Sequence, residues 1–199
     1  MPRTFSEQER TYIQEQLRAE AKKCLSTYGI RKTTVDELVR RVGIPKGTFY
    51  LFYESKERLL FEVIMDVDRD VQERLLAEVS ALPGAPDADT FTEIVLRFYR
   101  EIDKSFLPRL IQDGELEYFM RTVPPELQLQ HAERDKEAMR RMFEAFPGMQ
   151  PERAAVFSGA FRGIFLTLLM KDEIGADVFD DALRVLVRGV ALQLLEPKS

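Results

Sequence analysis

The chain has one cysteine and one histidine in 199 residues. A lone Cys24 excludes an internal disulfide and any site built from several cysteines. His131 stands alone, with no Glu-x-x-His pair and no glycine-rich phosphate loop in the sequence. The residue types that run metal, nucleophilic or phosphoryl-transfer chemistry are therefore scarce, and the expectation is a protein that is not an enzyme and needs no cofactor. Long apolar runs are also lacking. The longest, Ile164 to Met170, is interrupted by Thr167 and falls short of the roughly 20 residues that cross a bilayer, so no membrane partner is expected. The first residues, Met-Pro-Arg-Thr-Phe-Ser-Glu-Gln-Glu, have no apolar centre of a secretion signal, which makes the cytoplasm the expected place. Strand-like alternation, internal repeats and low-complexity tracts do not stand out.

What is there is helix, punctuated by proline and glycine. Ser6 with Glu9 forms a capping box that starts a first helix, and Gly29 is placed to end it. Ile13, Leu17, Ala21, Cys24, Leu25 and Tyr28 give this helix one apolar stripe, with Cys24 a buried structural thiol. Ser55 is expected to cap a long helix reaching about Leu82, on the order of 40 Å at 1.5 Å per residue and so long enough to join two domains. After the loop Leu82 to Asp89, further helices are expected from Thr90 (boxed with Glu93) to about Phe106, from Pro125 to Phe146, from Pro151 to Met170 and from Phe179 to Leu195. Pro108, Gly114 and Pro124-Pro125 break the stretch between the first two of these. The fold class read from this pattern is all-α.

The most informative segment runs from Thr33 to Lys56. Thr34 and Glu37 match a second capping box, and Leu38, Val39 and Val42 give the following short helix an apolar side. Gly43 can adopt the left-handed conformation that stops it, and Pro45 suits the start of another helix. Two short helices about a tight turn are the layout of a helix-turn-helix, whose second helix enters the DNA major groove. Gly-Ile-Pro-Lys-Gly-Thr-Phe-Tyr at 43 to 50, with Thr33-Thr34-Val35 before it and Ser55-Lys56-Glu57 and Leu59-Leu60 after it, resembles the DNA-binding signature of the tetracycline-repressor (TetR) family.

The resemblance covers residues 6 to 64. It implies an N-terminal three-helix helix-turn-helix domain, 1–54, joined by a long helix to a helical effector-binding and dimerisation domain, 55–199. It also implies DNA contacts from Thr33, Thr34, Lys46, Gly47, Thr48, Tyr50 and Lys56. Lys46 can donate to guanine or phosphate, and Thr48 can touch phosphate or a thymine methyl. Tyr50 adds a phosphate hydrogen bond, while Phe49 and Tyr53 are expected to pack inward. Phe52 stands where family members often carry a polar residue and can offer DNA only apolar contact. The charge distribution agrees with a head that meets DNA: residues 1–56 carry a net +4 and residues 57–199 a net −9, a basic head on an acidic body.

One monomer offers few base-reading side chains, so a homodimer on a palindromic operator is expected, with half-sites about one DNA turn apart. Gly159 and Gly163 leave a flat strip on the most apolar helix. With Leu183, Leu186, Val187 and Val190 on the last helix, they are the expected dimer interface. For a small-molecule effector the family implies a pocket in the body, and Phe98, Tyr118, Phe119, Met139, Phe161 and Phe165 are the candidate lining. Arg162, a charge on an apolar helix, needs a partner there, either an acidic side chain or an anionic ligand. The expected function is a ligand-responsive transcriptional regulator, a repressor released from its operator by the effector. An activator of the same fold, or a helical interaction protein without specific DNA binding, are the alternatives.

Overall fold

The structure, a computed structural model, describes residues 5–84, 86–144 and 151–195. Among the described residues every regular element is helical: α1 Glu7–Lys32, α2 Val35–Val42, α3 Lys46–Phe49, α4 Lys56–Ser80, α5 Ala88–Asp103, α6 Leu107–Gln112, α7 Glu115–Met120, α8 Pro125–Glu144, α9 Pro151–Thr167, α10 Lys171–Ile174 and α11 Phe179–Leu195. A single 3-10 turn, Leu168–Met170, links α9 to α10.

The helix ends follow local chemistry. Ser6 and Glu9 form both halves of their box, the hydroxyl accepting from the Glu9 amide at 3.2 Å and the carboxylate from the Ser6 amide at 2.9 Å. Glu7 and Glu9 open α1 and Arg31 and Lys32 close it, which matches the helix dipole at each end. Ser55 accepts from the Arg58 amide at 3.1 Å and starts α4. The expected start of α5 at Thr90 is corrected. Asp87 is the cap, its carboxylate accepting from the Thr90 amide at 2.7 Å. An acidic cap satisfies the free amides and the positive helix end together, and so displaces threonine.

The chain divides into two compact units. The first runs to Asp68 and takes in Arg109–Gln128; the second holds Arg69–Pro108 and everything from Leu129 on. The packing unit around the helix-turn-helix is thus larger than residues 1–54, because α6 and α7 join it. Leu17, Leu25, Leu38, Phe49, Leu59, Leu60, Ile64 and Leu110 are wholly enclosed there, each contributing about 1.5–3 kcal/mol by leaving water. Cys24 is buried, as its place on the stripe predicts, and burial pushes its thiol pKa up. Tyr28 is not in the stripe's core. It is 43% exposed and lies beside Arg41, whose guanidinium donates to its hydroxyl at 3.2 Å.

The core of the second unit joins Val71 and Val79 of α4 to Phe91, Val95, Leu96 and Tyr99 of α5, Phe157 and Ile164 of α9, and Leu183, Val187 and Leu194 of α11. The buried Tyr99 hydroxyl donates to the Phe161 carbonyl at 2.7 Å. Arg188 pairs with Asp89 at 2.6 Å, and Arg184 with Glu93, holding the edges of α11 and α5 together.

Two expectations for the last helices are corrected. Leu183 and Val187 are core residues, and Val190 packs on that core, so these three do not form a free face. The free face carries Val156, Gly159, Gly163 and Leu166 of α9 with Val185 and Leu186 of α11. Arg162 is exposed. α9 is covered on one side only in a single chain, so its charge needs no buried partner.

Candidate nucleic-acid interface

α2 and α3 meet at Gly43, whose left-handed backbone (φ 74°, ψ 33°) ends α2 and lets the Gly43 and Ile44 amides both reach the Val39 carbonyl, at 2.9 and 3.0 Å. Pro45, in extended geometry, then starts the single turn of α3. Turns at Leu51 to Tyr53 continue its direction, with amides bonded back to Thr48 and Phe49. The inward side is Phe49, fully enclosed, with Tyr53 at 5.9 Å between ring centres. The outward side presents Lys46, Gly47, Tyr50 and Leu51 to solvent. Tyr50 is braced edge-on by Phe49 at 5.3 Å, which fixes the direction of its hydroxyl.

Thr34 caps α2 through its hydroxyl, which accepts from the Glu37 amide at 3.2 Å. Only this half of the expected box forms. The Glu37 carboxylate turns to Arg40 and Arg41, at 2.7 and 2.6 Å, and these two arginines hold it below the usual carboxylate range. Thr34 is exposed at the helix start, where backbone amides and the dipole favour a phosphate.

Three of the expected DNA contacts are buried or bonded within the chain itself. Thr33 is fully buried, and its hydroxyl donates to the Gly29 carbonyl at 2.7 Å. The Lys56 ammonium donates to the Ile30 carbonyl at 3.3 Å. Thr48 is only 9% exposed, tucked under the turn that displays its neighbours. The first two brace the joint between α1 and α2, since α1 leaves helical geometry at Gly29 (φ 79°, ψ −174°) and exposes backbone groups that need partners.

Phe52 is half-buried. Phe5 lies against it with ring centres 6.1 Å apart, and the Arg10 guanidinium sits 5.1 Å over its ring. An apolar residue at this outward position is therefore covered by the chain's own N-terminal segment. Sequence reasoning missed this, although Phe5 and Arg10 were the available signal. It also missed Asp36, whose carboxylate pairs with Lys46 at 2.9 Å and raises the lysine's pKa. Both groups are exposed, so the pair is weak and open to exchange for phosphate.

The expected effector residues are not brought together. Phe98, Phe161 and Phe165 pack on the core of the second unit, with Phe161 6.0 Å from Phe91. Tyr118 and Phe119 belong to the first unit, Tyr118 exposed beside Arg31 and Phe119 buried. The Met139 side chain lies outside the described residues. A shallow depression of about 500 Å³ in the second unit is lined by Glu78, Ala81, Leu82, Thr90, Glu93, Ile94 and Arg97, none of them expected.

Residues 17–63 match the family model for bacterial regulatory proteins of the tetR family. No curated protein matches the chain in sequence. Several solved structures share the fold. The fatty acid degradation regulator FadR from Bacillus halodurans is 17% identical with a TM-score of 0.60, over 97% of each chain. A TetR family transcription regulator from Marinobacter aquaeolei VT8 is 17% identical with a TM-score of 0.51, over 93% of this chain and 98% of that one. RolR in complex with resorcinol is 18% identical with a TM-score of 0.54, over 98% of this chain and all of that one. The turn at Gly43 and the outward row Lys46–Gly47–Tyr50 lie inside the matched segment, so residues 17–63 carry the segment that marks bacterial regulatory proteins of the tetR family.

Proposed function

We propose that the chain is a homodimeric, ligand-responsive repressor in the cytoplasm, which leaves a palindromic operator on binding a small molecule. The observation that carries this reading is the outward row of α3. Lys46, Gly47 and Tyr50 are free to solvent while their neighbours Phe49 and Tyr53 anchor the turn. Residues 1–54 hold that surface and residues 55–199 the dimer and effector functions. Lys46 and Tyr50, with the Thr34 helix start, supply base and phosphate contacts, and Gly47 allows close approach. A second copy on the free apolar face of α9 and α11 doubles the contacts, as a palindromic operator requires.

The effector reading rests on the aromatic rings Phe98, Phe161 and Phe165, which pack, partly buried, against the second unit's core. A ligand that takes their place must move them, and so favours a conformation different from the packed one. Similar folds that carry resorcinol or regulate fatty acid degradation suggest a mainly apolar effector. Coupling is reciprocal: operator DNA must weaken effector binding by the same factor that effector weakens DNA binding.

The test is selection of random duplex DNA by the purified protein at fixed moderate salt. The expected result is a palindrome whose enrichment disappears in the Lys46→Ala, Tyr50→Ala variant. A background that depends only on salt, with no enriched sequence, would refute specific recognition.

A further inference from the structure

The joint that aims the helix-turn-helix is held from outside it. At Gly29, four residues before Thr33, the backbone takes φ 79° and ψ −174° and kinks α1. Three polar groups exposed there are bound by side chains from three different places. The Gly29 carbonyl accepts from Thr33 at 2.7 Å, and the Ile30 carbonyl from Lys56 at 3.3 Å. The Ile30 amide donates to the carboxylate of Glu115 at 2.6 Å, across 85 positions of sequence. Thr33 belongs to the joint itself and Lys56 opens α4, but Glu115 is the first residue of α7.

The fit around Glu115 is close. Glycine is required at residue 29 by φ, and a Cβ there would stand 2.5 Å from the Glu115 carboxylate and push it aside. The same segment grips α1 twice more. Arg109 of α6 donates to the Leu25 carbonyl at 2.7 Å, and Arg31 lies 5.7 Å over the ring of Tyr118. Leu110 and Phe119 anchor α6 and α7 by burial.

The geometry points to Glu115 as a positioning residue for DNA binding. Its carboxylate fixes the direction in which the chain leaves α1, and with it the placement of Thr34, α2 and the outward row of α3. The DNA-reading surface then depends on where residues 107–120 lie. This inference rests on the proposed function, and it adds the residue through which that segment acts.

The electrostatic sign separates this role from a general charge effect. Removing an acid from a DNA-binding protein strengthens phosphate-driven binding, whereas loosening the joint weakens operator binding. The experiment uses full-length Glu115→Ala, Glu115→Gln and Glu115→Asp with the palindromic duplex selected by the wild type. The expected result is an operator affinity lowered by at least about tenfold in Glu115→Ala, the loss of one charge-assisted hydrogen bond, with low-salt binding to random duplex unchanged or tighter. Glu115→Gln keeps an acceptor at the same reach and recovers most of the loss. Glu115→Asp keeps the charge but falls short of the amide, and does not recover it. Hydrogen exchange at the Ile30 amide, read without DNA, should be slow in wild type and Glu115→Gln and fast in Glu115→Ala. Equal operator affinity in wild type and Glu115→Ala, or an Ile30 amide whose exchange ignores residue 115, overturns the inference. A wild type that selects no palindrome removes the proposed function, and this inference with it.

Discussion

The ion pair at Lys46 shows how much a single side chain can hide. A lysine at the mouth of a recognition element is read as a DNA contact, yet without DNA it is bound to Asp36 at 2.9 Å. On DNA that pair must open, and the freed carboxylate then faces phosphate. Asp36→Asn is therefore expected to tighten binding to any duplex, by up to about fivefold for an exposed pair. Its salt slope should steepen by as much as about one unit, because Lys46 then releases a counterion of its own. Fluorescence anisotropy across a salt series checks both. An affinity and slope equal to wild type would show that Asp36 does not compete for the lysine. Cys24 makes the opposite point, because its helical position and its chemistry agree. The thiol is fully enclosed and burial raises its pKa, so it stays protonated at neutral pH. Ellman's reagent should find no reactive thiol in the native chain and one after denaturation.

At the scale of elements, sequence signals worked where the cause was local. Ser6 with Glu9, Ser55, Gly43 and the span Phe179–Leu195 stand where hydroxyls, glycine and apolar spacing put them. They failed where a distant partner or a stronger neighbour decided. Asp87 displaced Thr90 as a cap, Glu37 abandoned its box for Arg40 and Arg41, and Thr33 and Lys56 hold backbone carbonyls at the α1–α2 joint. No periodicity announces Glu115, because its partner amide is 85 positions away. Two glycines separate the local from the distant cause. Gly29→Ala meets both a backbone region that is nearly closed to side chains and the Glu115 carboxylate, and should cost about 1–3 kcal/mol in urea unfolding. Gly47 has open space around a would-be Cβ. Gly47→Ala should leave stability unchanged or raise it by up to about 1 kcal/mol, while its methyl group holds DNA off and weakens operator binding. A Gly29→Ala chain as stable as wild type would mean that the joint can relax without cost.

At the scale of the whole molecule, the question is what covers α9 and α11. Helix α9 reads as apolar nearly all round, yet among its described side chains one chain buries only Phe157 and Ile164. Val156 and Val185 are left 70% and 71% exposed, with Leu166 and Leu186 beside Gly159 and Gly163 on the same elements. The spacing of Val156, Gly159, Gly163 and Leu166, by threes and fours, is that of a helix stripe meant to be packed. Small residues within it let a second helix approach closely. A second copy, as proposed above, would cover this face and supply a second recognition element at once, and a stable pair should bury about 1,200–2,000 Å² in total. The double variant Val156→Glu, Val185→Glu places charges on that face and nowhere in the core. Sedimentation velocity at micromolar concentration should show dimers for wild type and folded monomers for the variant, with palindrome binding lost and low-salt DNA binding kept. Val187→Glu is the contrasting case, because Val187 is wholly buried within one chain. It should unfold the second unit in circular dichroism instead of merely separating subunits. The two variants distinguish an interface from a core on neighbouring positions of one helix. A wild type that sediments as a monomer would leave the face exposed and remove the basis for a palindromic operator.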